Sequence, residues 1–575
     1  MKLVVMHYLR SLRERDELDA ILPDLLAESG FEVLTRPHRG TRQAGVDVAA
    51  VGPDPDHDGT RSLFLFTIKS GDLTREHWDT GQQAVRPSLN EVLDDYIPNR
   101  IPPHFAGLPI IICVCMGGEM REDVRAQWSG YCRANEKANI HFAEWNGDRL
   151  SDLILSNMLR AELIESENRG LFHKALAMLD QPEVAYRHFR HLLNVIFTEP
   201  KNETERTRQL RKAYLCLWIL FVWARDADNL EAAYRASELV LLRSWPYCDS
   251  TRLRRGTTQH ERLAHFDQVL QLHLMIAHLL LVEKIGPFAD KRYALSMAVN
   301  SRYAVDINLA LFEMLGRLSL HGLWLDAMSG GEDSFAQAMN ERADKVLNIA
   351  IGMLNANPSL SVPVRDDFTI ELALFMRLAT LRGRLSNVAG YIRNMSDNLC
   401  YGLRARRHYP TPTTEYRDVL SHPRDCSDAY FKEHTRAGIL YTFVLAWLAM
   451  IGDQERAEHL RRTLLEHAPH MTHQIWIPDA RTDDVFWGGD RDHGLSVPGL
   501  PINDSLDAVF SLLNRVMKEH PLDERISAVR NHLTPIFLMA CRHYRMPLPP
   551  HVWQGKRTAP LDSTISDQET PDSEI

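Results

Sequence analysis

The residues best placed for chemistry are an aspartate and a lysine on neighbouring apolar runs. Asp47 stands near the start of Gly45-Val46-Asp47-Val48-Ala49-Ala50-Val51, which reads as a strand. Lys69 ends Leu63-Phe64-Leu65-Phe66-Thr67-Ile68-Lys69, which reads as another. The loop between them, Gly52 to Gly59, is dense in turn residues. Two antiparallel strands joined by a hairpin bring such residues to one sheet end. The carboxylate offers hard oxygen to Mg²⁺ (or Mn²⁺), and the Ile68 carbonyl offers a second oxygen. The lysine can orient an attacking water or steady charge on a phosphorane. An acid from the preceding helix would complete the metal set. The chemistry so assembled is metal-dependent phosphodiester hydrolysis.

The elements that must position these residues lie between Met1 and about Ile154. Leu18, Ile21, Leu22, Leu25 and Leu26 form the apolar stripe of a helix over 12–29. Pro23 implies a kink or a late start, and Gly30 a stop. Phe31 to Leu34 reads as a first strand. After Lys69, one helix carries Trp78, Val85, Leu89, Val92 and Leu93. Leu108 to Cys115 is a continuous apolar run of the kind found in strands covered on both faces. A helix over 122–138, a strand over 140–145 and a helix near Leu150 follow. The order α-β-β-β-α-β-α-β-α predicts an α/β layer sandwich with a mixed sheet.

At these residues the chain resembles the PD-(D/E)xK nuclease superfamily, in its Mrr-type restriction-endonuclease-like branch, over residues 1–160. Asp19, Leu25-Leu26 and Gly30-Phe31 match the opening helix. Gly45-Val46-Asp47 matches the first motif strand, and Phe66-Thr67-Ile68-Lys69 the (Glu/Gln)-x-Lys strand. Gln82 and Gln83 match a helix glutamine, and Glu144-Trp145-Asn146-Gly147-Asp148-Arg149-Leu150 the closing segment. The resemblance implies a nuclease fold with Asp47, Lys69, Thr67, Asp19 and Glu17 as its catalytic set and Gln82 near the nucleic acid. One position departs from the pattern. Thr67 stands where the family carries an acid or amide, and a neutral hydroxyl is a weak metal ligand. Glu17, Asp19, Asp72 or Glu76 would have to compensate. Otherwise the domain binds nucleic acid or a partner without cutting.

Arg36, His38, Arg39 and Arg42 form a basic loop before Asp47, either a clamp on backbone phosphates or a solvated loop. The formal net charge of −10 makes any nucleic-acid contact local, with DNA favoured over RNA. Hydrophobic residues make up 45% and charged residues 25%, which excludes collagen-like, wholly disordered and disulfide-scaffold classes. Eight cysteines without a CxxC pair read as reduced thiols, with Cys113 and Cys115 buried. No uninterrupted apolar run approaches the ~20 residues of a bilayer span, and the N-terminus lacks a secretion signal, so a cytoplasmic location and no membrane partner are expected. No GxxxxGK[ST] loop and no GxSxG elbow occur, so neither ATP hydrolysis nor a serine nucleophile is indicated.

His188 and His191 share a helix face but lack a third ligand for zinc. Arg252, Arg254, Arg255 and His260, like Arg462 and His467, superficially fit the spacing of a HEPN-type ribonuclease. Surface helix charge explains both in a chain with 26 histidines. Trp218 and Trp223 read as core.

From about 155 to 548 the pattern is almost entirely helical. The clearest hairpin, Thr442 to Pro469, looks like a tetratricopeptide-type unit, with Ala457 at the close-packing position and a Gly452-Asp453 turn. Weaker echoes lie at 214–246 and 342–358, without a strict period. The stretch 472–503 reads as a long loop or an insertion. The expectation is an all-α, TPR-like array over 161–550 that binds a partner protein or signal, with homo-oligomerisation left open, and a disordered acidic tail over 551–575. By analogy with nucleases fused to helical sensors, the role expected is bacterial anti-phage defence. The alternative is an inactive nuclease-like adaptor.

Overall fold

The structure, a computed structural model, describes residues 2–12, 14, 18–35, 44–54, 56–57, 59–80, 84–158, 166–200, 202–248, 257–331 and 333–553. Glu17, the basic loop with Arg36, His38, Arg39 and Arg42, Gln82, Gln83, Arg252, Arg254, Arg255, the His260 side chain and residues 554–575 of the expected tail lie outside the described residues. The first residues of that tail, 551–553, are instead part of a helix, Pro550–Trp553, because Val552 and Trp553 are apolar and buried. The chain divides into two compact units, Met1–Val240 and Leu241–Ile575.

The first unit opens with a helix that the charged N-terminus concealed, α1 (Lys2–Ser11). Val5, Tyr8, Leu9 and Leu12 are its buried stripe, at helical spacing. The helix expected over 12–29 begins late, as α2 (Asp19–Glu28), with Pro23 inside it. Leu22, Leu25 and Leu26 are fully buried, and the chain leaves the helix through Gly30 at φ +85°.

Five strands follow: β1 (Glu32–Thr35), β2 (Val48–Asp54), β3 (Thr60–Lys69), β4 (Ile110–Met116) and β5 (Ile140–Trp145). They lie side by side in chain order. β1, β2 and β3 pair antiparallel, whereas β3, β4 and β5 pair parallel, so the sheet is mixed as expected. β2 runs past its expected end, through Gly52 and Pro53 to Asp54. The Phe31 ring explains why Gly52 belongs there: a Cβ would lie 2.2 Å from it. The single helix expected after Lys69 is instead α3 (Arg75–Asp79) and α4 (Val85–Glu91), running into a π turn at Val92–Tyr96.

Both faces of the sheet are covered, which is why β4 can be apolar at every position. One face packs Phe31, Phe64, Phe66 and Trp145 edge to face and stacked. The other places Leu63, Leu65, Ile112 and Val114 under Trp78, Val85, Leu89 and Trp128. Cys113 and Cys115 are buried in β4, and burial raises both thiols far above their ordinary range. Helices Ser166–Ala177, Pro182–Ile196 and Glu203–Asp226 also belong to the unit. Trp218 is buried in the last of these, edge to face with Tyr214 and Phe221. Glu28 at the C-terminus of α2 opposes the helix dipole, and Arg211 at 2.6 Å and Arg208 at 3.4 Å offset it.

The second unit is mostly helical. Its long helices include Thr257–Ala277, Ala304–Ala327, Ser334–Ala356, Thr369–Leu381 and Leu385–Ala405. The hairpin read from sequence is Leu440–Met450 followed by Gln454–His467, with Gly452 at φ +83° in the turn and Ala457, Leu460 and Leu464 buried. Two corrections apply here. The stretch expected to be a loop carries β7 (Thr472–Ile477) and β8 (Leu495–Pro498), which with β6 (Ala437–Gly438) form a three-stranded sheet. The turn residues Gly489, Gly494 and Gly499, all at positive φ, masked the alternating apolar residues between them. Further, the helical stretch Arg262–Phe288 is long and apolar enough, at mean hydropathy 1.5, to cross a membrane by length and composition. Scattered polar residues hid it from a search for unbroken runs. Half of that window is buried inside the fold, as in a core helix.

Two histidines of this unit make its stability sensitive to acid. His321, on Ala304–Ala327, is 2% exposed; burial first, then His273, His278 and Arg342, lowers its pKa to about 3. His473, in β7, is lowered to about 4 by burial. Both would titrate near ~6.5 in the unfolded chain. The folded state therefore binds fewer protons, and stability present above pH ~6.5 is lost as the pH falls towards the folded values. Each histidine is expected to lower unfolding free energy by about 1.4 kcal/mol per pH unit in that window. Denaturant titrations of wild type and His321→Leu between pH 7.5 and 5 check this. An unchanged slope in the variant contradicts it.

Candidate active site at the end of the sheet

The functional side chains gather where β2 begins and β3 ends. The antiparallel register sets Val48 opposite Phe66, and the Asp47 amide donates to the Phe66 carbonyl at 2.8 Å. Beyond this pair β3 continues and the lead-in to β2 bends away. Gly45 makes the bend possible: its φ is +77°, and a Cβ there would lie 2.0 Å from the Ser88 carbonyl oxygen. The bend turns the Asp47 carboxylate onto β3, where Oδ2 accepts the Ile68 amide at 2.7 Å. The Thr67 hydroxyl donates to the Gly45 carbonyl at 2.7 Å. Thr67 thus ties the strand end to the lead-in and is 2% exposed.

Lys69 closes β3, and its Nζ lies 3.0 Å from both carboxylate oxygens of Glu14. The lysine side chain is 8% exposed and that of Glu14 is 27% exposed. The acid on the lysine is therefore Glu14, in the connection between α1 and α2, and not Asp19, which opens α2. Sequence reasoning missed Glu14 because Glu14, Asp16, Glu17 and Asp19 crowd one charged stretch. The usable signal was the apolar stripe Val5, Tyr8, Leu9 and Leu12, which marks a first helix and ends two residues before Glu14.

Asp72, weighed as a compensating metal ligand, is engaged elsewhere: it accepts the Glu119 amide and pairs with Arg121, both at 3.1 Å. Glu76 is an exposed residue of α3. His188 is half-buried and His191 exposed on Pro182–Ile196. Arg462 is a surface residue beside Glu458.

The donors gathered at the strand ends are hard oxygens. Among the described residues no three His, Cys, Asp or Glu side chains converge to cage a metal ion. Mg²⁺ seldom needs such a cage: one or two carboxylates suffice when water and substrate phosphate fill the other positions. Asp47, Glu14 and the Ile68 carbonyl are oxygen donors of that kind. In a strand the N–H and C=O of one residue face the same neighbour, so the Ile68 carbonyl is turned to the side where Asp47 caps its amide. Asp47 also sits close enough to Cys115 to add, after burial, to the rise of that thiol. Asp47 thus presents a carboxylate at the end of β3, and Glu14 holds the Lys69 ammonium with both of its oxygens.

No protein-family model, no curated protein and no solved structure matches this chain.

Proposed function

We propose that the α/β domain is a restriction-endonuclease-like nuclease that hydrolyses phosphodiester bonds of nucleic acid, DNA in preference to RNA, with Mg²⁺ or Mn²⁺. The observation that supports this reading is that Asp47 caps the Ile68 amide while Lys69, the next residue on β3, pairs with Glu14. Asp47, Glu14 and the Ile68 carbonyl would hold the metal, which when bound supplies a Lewis acid for the phosphate oxygen. Lys69 orients the attacking water and offsets charge that develops on the phosphorane. Glu14 fixes the ammonium in place until substrate enters. The helical hairpins support a TPR-like array that binds a partner protein and controls the domain, with a place in cytoplasmic anti-phage defence as the analogy.

A second reading has its own observation. The Thr67 hydroxyl is committed to the Gly45 carbonyl, so it brings no charge to the site. This favours a nuclease-like adaptor that binds without cutting. Cleavage of supercoiled plasmid and of single-stranded RNA with Mg²⁺ or Mn²⁺ separates the two. Wild type is expected to nick the plasmid, and Asp47→Asn to lose at least about 10²-fold in rate. Equal rates in both would remove the hydrolase reading, and an intact plasmid with wild type would leave the adaptor.

A further inference from the structure

Just past the sheet end that holds Lys69, a second set of charges is built around one carboxylate. β3 leads through Gly71 to Asp72, and β4 leads through Gly117 and Gly118 to Glu119 and Arg121. Asp72 Oδ1 accepts the Glu119 amide and Oδ2 accepts Arg121 Nη2, both at 3.1 Å. Arg10, in the last turn of α1, places Nε 3.5 Å from Asp72 Oδ1 and Nη2 3.5 Å from Glu119 Oε1. The backbone beneath is tightly packed. The Gly118 amide donates to the Gly71 carbonyl at 2.8 Å, and a Cβ on Gly117 would lie 2.1 Å from the Leu9 carbonyl oxygen. The floor is therefore rigid, and α1 is pressed against it.

The guanidinium groups themselves are open: the Arg10 and Arg121 side chains are 54% and 61% exposed. Each carries five N–H donors in a fork that suits phosphate, and the contacts to Asp72 and Glu119 use only part of that capacity. Burial works against the Asp72 charge, but the Glu119 amide, Arg10 and Arg121 together hold its carboxyl below the usual range. Asp72 thus orients both arginines, Glu119 adds a second contact to Arg10, and the remaining N–H donors of the two forks face solvent.

We propose that Arg10 and Arg121, aimed by Asp72, form a clamp for a backbone phosphate of duplex DNA next to the one at Lys69. The choice of ligand rests on the nuclease reading above. Arg10 and Arg121 bind and Asp72 is a positioning residue. The clamp reads no sequence, because phosphate contacts fix register and not base identity.

Binding of a labelled DNA duplex to the full chain, in EDTA and over a range of salt, tests it without any cleavage. Arg10→Ala and Arg121→Ala are each expected to lower the slope of log affinity against log salt by about 1, and the double variant by about 2. Arg10→Lys and Arg121→Lys are expected to restore the slope while binding more weakly. Arg61→Ala, at the opposite end of β3, is expected to match wild type. The same titration with an RNA duplex shows whether the clamp distinguishes the two polymers, and tighter binding of RNA would overturn the DNA assignment. A double variant with the wild-type slope would overturn the clamp and leave the nuclease reading standing. A wild type that binds no duplex would remove both.

Discussion

Replacing Lys69 with methionine is expected to slow Mg²⁺-dependent cleavage by roughly 10²–10³-fold, the usual cost of removing one preorganised charge from a reacting centre. Methionine keeps the length of the stem, and the stem is what β3 buries. The head group it removes is the only part that contacts Glu14 among the bonds described. Glu14 is partly open to solvent, so its carboxylate regains water when the ammonium is gone. The fold should therefore tolerate the change, with a melting temperature within a few degrees of wild type. Single-turnover cleavage of a labelled duplex at saturating enzyme reads the chemical step. Glu14→Gln separates two roles for the acid. If Glu14 helps hold the metal, the variant needs more Mg²⁺ for half-maximal rate; if it only parks the lysine, the metal requirement stays where it was. A Lys69→Met rate within threefold of wild type would show that the sheet-end pair is not the reacting centre.

The largest stability effect is expected in the second unit, from Arg545→Ala. Arg545 follows the helix Thr534–Tyr544 in the left-handed region, at φ +57°. Its guanidinium contacts Glu371, and lies 2.8 Å and 3.0 Å from Asp367 Oδ2 through Nη2 and Nε. Glu371 is 0% exposed. Next to it Glu313 pairs with Arg317 at 3.0 Å and Arg542 at 2.7 Å. Burial works against the charge on Arg545, but Glu371 and Asp367 outweigh it and keep the group protonated. Removing the arginine leaves the Glu371 carboxylate uncompensated in a dry interior, which costs about 3–5 kcal/mol. In a unit of this size that lowers the melting temperature by about 4–7 °C. Replacing both partners, Arg545→Met with Glu371→Leu, should recover most of the loss, because the penalty belongs to the unpaired charge. Calorimetry of the three proteins decides it. A single variant as stable as wild type would mean that water reaches Glu371.

The element order was legible in the sequence because helices and strands impose different apolar periods. Leu18, Ile21, Leu22, Leu25 and Leu26 repeat as a helix does, and Leu63 to Ile68 can run unbroken only where both faces of a sheet are covered. Element ends were less legible. Gly52 and Pro53 read as a turn, yet they extend β2, because the space above Gly52 is filled by Phe31, a residue from another part of the chain. β7 and β8 were missed for a similar reason: local turn residues outweighed a pairing that spans the loop between them.

Apolar runs and the turn that joins them suffice to put Asp47 and Lys69 at one end of a hairpin, since its register follows from them. What each side chain does there is set by packing between distant segments. Glu14 reaches Lys69 across 55 residues, Thr67 bonds to Gly45 across 22, and Asp72 is drawn to Arg121 and the Glu119 amide. Periodicity carries information about which face a residue takes. Which of several carboxylates meets a given cation depends on how separate segments converge, and that is set by the packing of α1 and the glycine floor against the strand ends.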